Sequence, residues 1–174
     1  MEATLSRPDE TEQMDAWVRD HGPAVRAYLQ GVVRSPHQAE DLLQDVFCRA
    51  WQSRDRYLEQ GYARAYLIRI ADHAACDHLR RKKSQTLGEE VWSLQESSEK
   101  ADPVKQAVDS ETNEQLRRAL DRLTSIQRRI LLLRYFGEFT FAEIAEMVDC
   151  PLNTTLSHCH RGLQALRKEF AGNP

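Results

Sequence analysis

A chain of 174 residues, of which 41% are hydrophobic, is long enough for one or two small domains that fold without disulfides or a metal. It has no stretch of about 18 apolar residues, and its acidic, proline-containing start is unlike a signal peptide, so we expect a cytoplasmic protein without direct membrane insertion. The formal net charge of −3 is unusual for a nucleic-acid-binding protein and directs attention to how charge is distributed.

Charge is segregated along the chain. Residues 84–114 carry eight acidic and two basic side chains, whereas residues 115–136 carry six arginines and one aspartate. Residues 69–83 are also basic, with five cations against two aspartates. Two basic surfaces separated by an acidic segment indicate two contacts with one polyanion.

The N-terminal part of the chain is predicted to be helical after a disordered start over residues 1–14. Apolar residues recur at helical spacing from about Asp15, with an expected break at Gly22-Pro23. Ser35-Pro36-His37-Gln38 is a capping box that begins the next helix. Two adjacent apolar rows follow on this helix, and its opposite face carries polar side chains. Without further evidence, such a polar face is predicted to be ordinary solvent-exposed surface.

A polar segment from Gln52 to Gly61 predicts a loop, and a further helix is expected from about Tyr62 to Arg81. Its C-terminal end is basic, which complements the helix dipole. Aromatic side chains lie among these cations in the sequence. Such rings suit stacking on unpaired bases, and by composition they suit a small core equally well.

Residues 84–111 lose all periodicity and predict an acidic, flexible linker to a second domain that begins near Thr112. A capping box at Thr124 and Gln127 starts a helix there, and Gly137 ends it. Neither a strand pattern nor an internal repeat is present in the sequence. The expected fold class is therefore all-α, with two small helical domains.

The segment from Thr140 to Leu166 has the pattern of a helix-turn-helix. Thr140 and Glu143 form another capping box, Asp149-Cys150-Pro151 interrupts the helix, and a second helix is expected from about Leu152 to Phe170. In that motif the second helix lies in the major groove. Two amphipathic helices joined by such a turn also occur in many other all-α proteins, so this segment alone does not establish DNA binding.

Three segments together resemble one family. They are AEDLLQDVFCRAW (Ala39 to Trp51), AYLIRIADHAACDHLRRKK (Ala65 to Lys83) and LDRLTSIQRRILLLRYFGEFTFAEIAEMVDCPLNTTLSHCHRGLQALRK (Leu120 to Lys168). The arrangement resembles the bacterial extracytoplasmic-function (ECF) sigma factors of the sigma-70 family. The resemblance implies sigma region 2 over residues 15–83, which binds the RNA polymerase clamp and opens the −10 element. It also implies sigma region 4 over residues 112–170, which reads the −35 element and touches the polymerase flap.

The resemblance also implies roles for individual residues. Those expected to bind polymerase are Asp41, Gln44, Asp45 and Arg49. Those expected at the −10 element are Arg56, Tyr57, Gln60, Tyr62, Tyr66, Arg69, His73, Arg80 and Arg81. Those expected at the −35 element are Arg128, Asn153, Thr154, Ser157, His158 and Arg161.

Four of the departures from the family pattern bear on DNA binding. Tyr66 and His73 stand where Trp and Asn are usual, so the −10 sequence or its ease of opening is expected to differ. Leu156 and His158 replace the usual Lys and Arg of the recognition helix. Loss of two cations is expected to weaken DNA binding and to flatten its salt dependence by up to about two units of slope.

The sequence leaves two other functions open. One is a helix-turn-helix regulator that does not act through core polymerase. The other is a metal- or redox-responsive regulator, for which the candidate ligands are His73, Cys76 and His78, or Cys150, His158, Cys159 and His160. The cysteines form no CxxC pair, so we expect reduced thiols and no metal or other cofactor.

An enzyme is not expected, because the sequence lacks a glycine-rich phosphate loop and a nucleophile motif. The partners that the resemblance implies are core RNA polymerase, promoter DNA and an anti-sigma factor.

Overall fold

A computed structural model describes residues 10–53, 62–86 and 110–171, and every regular element in these ranges is an α-helix. The helices are α1 (Glu10–Val33), α2 (Pro36–Gln52), α3 (Ala63–Thr86), α4 (Ser110–Asp121), α5 (Ser125–Phe136), α6 (Phe141–Met147) and α7 (Leu152–Ala171). The expected all-α class is confirmed. The predicted Gln52–Gly61 loop, with Arg56, Tyr57 and Gln60, lies almost entirely outside the described residues, as does most of the predicted linker.

Helix α1 differs from its prediction at two points. It begins at Glu10, inside the segment expected to be disordered, and it continues through Pro23 without the expected break. Proline removes one intrahelical hydrogen bond, and its ring crowds the preceding turn at a cost of about 3 kcal/mol. Burial of Trp17, Val25 and Tyr28 on either side of Pro23 offsets that cost, because each fully buried large apolar side chain contributes roughly 1.5–3 kcal/mol.

Helices α1, α2 and α3 pack pairwise into one bundle, called here the N-terminal bundle. Its α2 stripe is formed by Ala39, Leu43, Val46 and Ala50, all of them buried. Ser35 caps α2 as predicted, since its hydroxyl oxygen accepts a hydrogen bond from the backbone N–H of Gln38. The remaining core side chains of this bundle are Leu29, Leu67, Ile68, Ala71, Ala74 and Ala75.

Helices α4 to α7 form a second bundle, the C-terminal bundle, which contains the helix-turn-helix. Both predicted capping boxes are present in full, at Thr124 with Gln127 and at Thr140 with Glu143. The turn between α6 and α7 places Asp149 in the left-handed region at φ 52, which a short polar side chain tolerates. Thr155, Cys159 and Gly162 form the buried face of α7.

The two bundles share one apolar core in this structure, through contact between α5 and α1. Four successive residues of α5, from Ile130 to Leu133, are buried. A helix that is apolar on all sides must be covered on all sides. Leu131 packs against Gly162 of α7, whereas Leu132 packs against Gly31 of α1. Helix α5 is therefore central to the whole described molecule.

Candidate polymerase and nucleic-acid surfaces

The polar side of α2 presents the residues expected to bind polymerase. Asp41, Gln44, Asp45 and Arg49 are spaced three and four apart, so they lie on one side of the helix. Asp45 pairs with Arg49 at 2.7 Å, and Asp41 lies 3.2 Å from the His37 ring. Gln44 is exposed. Because the opposite stripe of α2 is buried, the helix holds this polar face in a fixed orientation toward solvent.

The N-terminal half of α3 and the residue before it carry the predicted −10 aromatic residues. Tyr62 is 67% exposed, so its ring is available for stacking. Tyr66 is half-buried: its hydroxyl lies 2.6 Å from the Ser53 hydroxyl, and its ring meets Trp17 edge-on at 5.9 Å between centroids. His73 is exposed on the same helix. The two tyrosines therefore differ, since one faces solvent and the other also packs in the N-terminal bundle.

The basic residues of α3 fall into two groups. Arg80 pairs with Asp77 at 3.2 Å, and Arg81 is exposed at the same end of the helix. Arg69 is nearer the middle, and its guanidinium lies 5.5 Å from the centroid of the Phe139 ring in the C-terminal bundle. Arg69 is exposed as well, but unlike the cations at the end of the helix it lies against a ring of the C-terminal bundle.

The first turns of α7 present the residues expected at the −35 element. Asn153, Thr154, Ser157 and Arg161 are exposed, while the buried face of the helix fixes their orientation. The Ser157 hydroxyl donates to the Asn153 carbonyl at 2.8 Å, and Arg161 donates to the Ser157 carbonyl at 3.3 Å. His158 is half-buried, and its Nδ1 has no hydrogen-bond partner.

Two exposed leucines lie on the same surface of α7. Leu152 is 46% and Leu156 40% exposed. A leucine side chain carries no charge, so neither position adds a cation to this surface of α7. Arg161 is the cation nearest these turns in sequence.

Arg128 is placed differently from the other −35 candidates. It belongs to α5, is only 7% exposed, and donates from Nη2 to the Leu123 carbonyl at 3.3 Å. A contact between Arg128 and DNA requires this packing to change.

A buried ionic cluster lies between the bundles, and it was not predicted from the sequence. Asp72 of α3 is fully buried and accepts a hydrogen bond from the Tyr28 hydroxyl at 2.7 Å. Arg129 of α5 donates to both carboxylate oxygens of Asp72, at 2.8 and 2.7 Å. Burial raises the pKa of Tyr28 well above its usual value, and the adjacent Asp72 charge adds to this. The available signal was an aspartate within the apolar stripe of α3, between Ala71 and Ala74.

The metal-binding alternative receives no support from the described geometry. The Nε2 atom of His78 lies 3.1 Å from the side-chain oxygen of Gln38, at hydrogen-bond distance. The sulfur of Cys76 lies 3.8 Å from Oδ1 of Asp72. Within residues 10–53, 62–86 and 110–171, no three His, Cys, Asp or Glu side chains are gathered closely enough to hold a metal ion. All four cysteines are free thiols. None of the helices in these ranges has the length and apolar character needed to span a membrane.

Comparison with known proteins matches both halves of the chain. Residues 17–85 match the Sigma-70 region 2 family model, and residues 113–166 match the Sigma-70, region 4 model. The ECF RNA polymerase sigma factor SigX of Bacillus subtilis is 30% identical over 147 residues, which is 82% of this chain and 76% of SigX. SigW of the same organism is 28% identical over 142 residues, covering 77% of this chain and 76% of SigW.

Solved structures agree on the fold. The sigma factor RpoE from Bartonella quintana, in complex with the anti-sigma factor NepR, superposes with a TM-score of 0.68 at 20% identity, over 94% of this chain and 99% of RpoE. CnrH, in complex with the cytosolic domain of CnrY, gives a TM-score of 0.59 at 17% identity, over 94% of this chain and 91% of CnrH. With both sigma regions present in order and SigX aligned over most of its length, the chain belongs to the ECF sigma factors of the sigma-70 family.

Proposed function

We propose that this protein is an alternative sigma factor, which binds core RNA polymerase and directs it to specific promoters. Region 2 and region 4 occur in the order that such a factor requires. In this proposal the N-terminal bundle binds polymerase and the −10 element, and the C-terminal bundle reads the −35 element. The protein is a regulatory factor, and it acts where polymerase acts, in the cytoplasm.

The observation that carries the proposal is the polar face of α2. Helix α2 already buries its apolar stripe within the N-terminal bundle, so fold stability does not require Asp41, Gln44 or Asp45 on the opposite side. Asp45 and Arg49 form a partly exposed pair, and exposed pairs contribute at most about 1 kcal/mol to stability. A rigid helix with an ordered polar face of mixed charge suits a protein partner whose charges are complementary.

The DNA-binding parts of the proposal rest on two further surfaces. Exposed Tyr62 and the basic end of α3 suit an unpaired strand, because stacking on a ring is worth about 1–3 kcal/mol per base and cations neutralise phosphates. Exposed Asn153, Thr154 and Ser157 lie in the first turns of α7, the part of a recognition helix that meets base edges.

The decisive experiment is run-off transcription with core polymerase from the promoter upstream of this protein's own gene. We expect a transcript from one start site that depends on the protein and is lost in Asp45→Arg. Truncating or reversing one member of a buried interfacial charge pair costs about 2–5 kcal/mol, which is enough to abolish binding at working concentrations. Asp20→Arg is the matched control, because Asp20 is an exposed aspartate of α1 that pairs only weakly with its neighbour Arg19.

The alternative is a helix-turn-helix regulator that does not act through polymerase. Binding to duplex DNA without any gain of transcription by core polymerase would favour that function. Loss of transcription in both Asp45→Arg and Asp20→Arg would show a general charge effect and contradict the α2 contact.

An anti-sigma factor is a further proposed partner. One of the similar solved structures is the sigma factor RpoE in complex with the anti-sigma factor NepR, and the other is CnrH in complex with the cytosolic domain of CnrY. We expect an inhibitor of this chain to compete with core polymerase for the α2 face, so Asp45→Arg is expected to weaken both complexes.

A further inference from the structure

Two exposed apolar side chains lie in the first turns of α7. Leu152 is 46% and Leu156 40% exposed, and a spacing of four residues places them in one row along the helix. A single exposed leucine is common on protein surfaces and needs no special explanation. Leu156 differs because its neighbours on the helix are the residues that the proposed function assigns to the −35 element.

Leu156 shares the exposed face of α7 with Asn153. The two residues are three positions apart, so their Cβ atoms are about 5–6 Å from one another, which is less than two base-pair steps of about 3.4 Å. The buried face of the helix, formed by Thr155, Cys159 and Gly162, fixes the direction in which both side chains point. In the major groove they therefore meet the same base pair or neighbouring base pairs.

The polar side chains beside Leu156 are partly used within the helix. The Ser157 hydroxyl donates to the Asn153 carbonyl at 2.8 Å, and Arg161 donates to the Ser157 carbonyl at 3.3 Å. While its bond is made, the Ser157 hydroxyl offers a base only its capacity to accept a hydrogen bond. The apolar contact of Leu156 is therefore a large share of what this face can distinguish.

An apolar side chain distinguishes strongly between base edges in the major groove. The 5-methyl group of thymine is apolar, whereas the other groups that base pairs display there are mainly hydrogen-bond donors and acceptors. A leucine placed on a donor or an acceptor removes water from that group and returns no hydrogen bond, which costs free energy. A leucine placed on the methyl group buries apolar surface on both partners.

We propose that Leu156 is a specificity-determining residue, which packs on the 5-methyl group of a thymine in the −35 element. Asn153 suits the adenine of the same or a neighbouring base pair, because its amide can bond to N6 and N7 of adenine. The −35 element of this protein therefore includes A·T pairs opposite the first turns of α7. This inference rests on the proposed sigma-factor function and names the base that the recognition helix selects.

Deoxyuridine substitution tests the contact on the DNA and leaves the protein unchanged. Deoxyuridine lacks only the 5-methyl group of thymidine and pairs with adenine in the same way. The probe is the promoter upstream of this protein's own gene with the thymines of its −35 region replaced one at a time, and binding of the holoenzyme is measured by competition. We expect replacement of one thymine to weaken binding about fourfold, the effect of one buried methyl group. This ratio is expected to be the same at each salt concentration, because an apolar contact releases no counterions.

Leu156→Ala tests the same contact on the protein. We expect this variant to bind the unmodified promoter several-fold more weakly than the wild type and to bind the unmodified and deoxyuridine promoters equally well, because both changes remove one contact. Leu116→Ala of α4 is the matched control, since Leu116 is also 40% exposed but lies outside the helix-turn-helix, and it is expected to keep the full ratio. A lysine at position 156 keeps an aliphatic stem and adds a charge, so it tests phosphate contact instead.

Each contrary result has a separate meaning. If no single replacement weakens binding while the holoenzyme still prefers the promoter to a scrambled fragment, the methyl contact is overturned and the sigma-factor function stands. If the same replacement weakens Leu156→Ala as much as the wild type, the effect comes from the shape of the DNA, and the role of Leu156 is overturned. If the holoenzyme does not prefer the promoter at all, the proposed function fails, and the contact of Leu156 with the −35 element fails with it.

Discussion

At the scale of single residues, the charge of the recognition helix is the feature with the clearest consequence. Leu156 is exposed on the first turns of α7, the surface that we propose faces DNA. We predict that Leu156→Lys tightens binding to promoter DNA and steepens the plot of log K against log salt by about 0.9, the effect of one additional phosphate contact. Fluorescence anisotropy on a −35 duplex at several salt concentrations measures both quantities.

His158→Arg tests the second departure on the same helix. His158 is half-buried, so part of an arginine side chain at this position would also be buried, and we expect a smaller effect than at position 156. Lys168, near the far end of α7, supplies a control, since Lys168→Ala removes a cation from its last turn and is expected to leave the slope almost unchanged. If neither new cation changes affinity or slope, the surface of α7 assigned to DNA is wrong.

At the scale of elements, the capping box of α6 fixes where the helix-turn-helix begins. The Thr140 hydroxyl accepts a hydrogen bond from the Glu143 backbone N–H, and the Glu143 carboxylate accepts one from the Thr140 backbone N–H. We predict that Thr140→Ala lowers the free energy of unfolding by about 1 kcal/mol at pH 7, the usual cost of losing such a cap. Urea unfolding measures it, with the exposed Thr154→Ala of α7 as control.

The same box predicts a pH dependence. Hydrogen bonds from the Thr140 hydroxyl and backbone hold the pKa of Glu143 below its usual value of 4.5. A lowered pKa in the folded state means that the stabilisation is complete above pH 4.5 and is lost as the pH falls through the folded value. The difference in unfolding free energy between the wild type and Thr140→Ala is therefore expected to shrink from pH 7 to pH 3. A difference that is constant over this range would contradict the role of the ionised carboxylate.

At the scale of the whole molecule, the cysteines report whether the bundles are together. Cys48 is exposed on α2, whereas Cys76 lines a cavity between the two bundles together with Arg34 and Arg129. Burial and the nearby Asp72 raise the pKa of the Cys76 thiol, which lowers the fraction of reactive thiolate. We predict that iodoacetamide at pH 8 modifies Cys48 well before Cys76. Gly31→Leu inserts a side chain where Leu132 of α5 packs on α1, so it is expected to separate the bundles and to accelerate modification of Cys76. Peptide mass spectrometry measures each site.

Cys159 is the internal control for that experiment. It is buried within the C-terminal bundle, and burial raises the pKa of its thiol as well. Separation of the two bundles leaves the surroundings of Cys159 intact, so its modification rate is expected to stay low in Gly31→Leu. Acceleration at Cys76 and Cys159 together would indicate general unfolding instead of separation of the bundles.

Local chemistry made much of the fold predictable. The capping boxes at Thr124 and Thr140 and the turn before Leu152 are set by residues within four positions of one another, so their geometry follows from the sequence. The same dependence on neighbouring residues explains why the helix break predicted at Gly22-Pro23 was wrong. A proline breaks a helix unless distant residues stabilise it, and the packing around α1 cannot be inferred from its own residues.

The sequence by itself determined the all-α class, the start of each capped helix, the family and the solvent-facing rows on α2 and α7, because helical periodicity separates buried from exposed positions. Only the tertiary structure decided which charges are partners. Asp72 and Arg129 are 57 positions apart and look like ordinary members of charged segments. Their pairing, the burial of Arg128 and the contact of Gly31 with Leu132 depend on the relative placement of the two bundles, and no local periodicity encodes that placement.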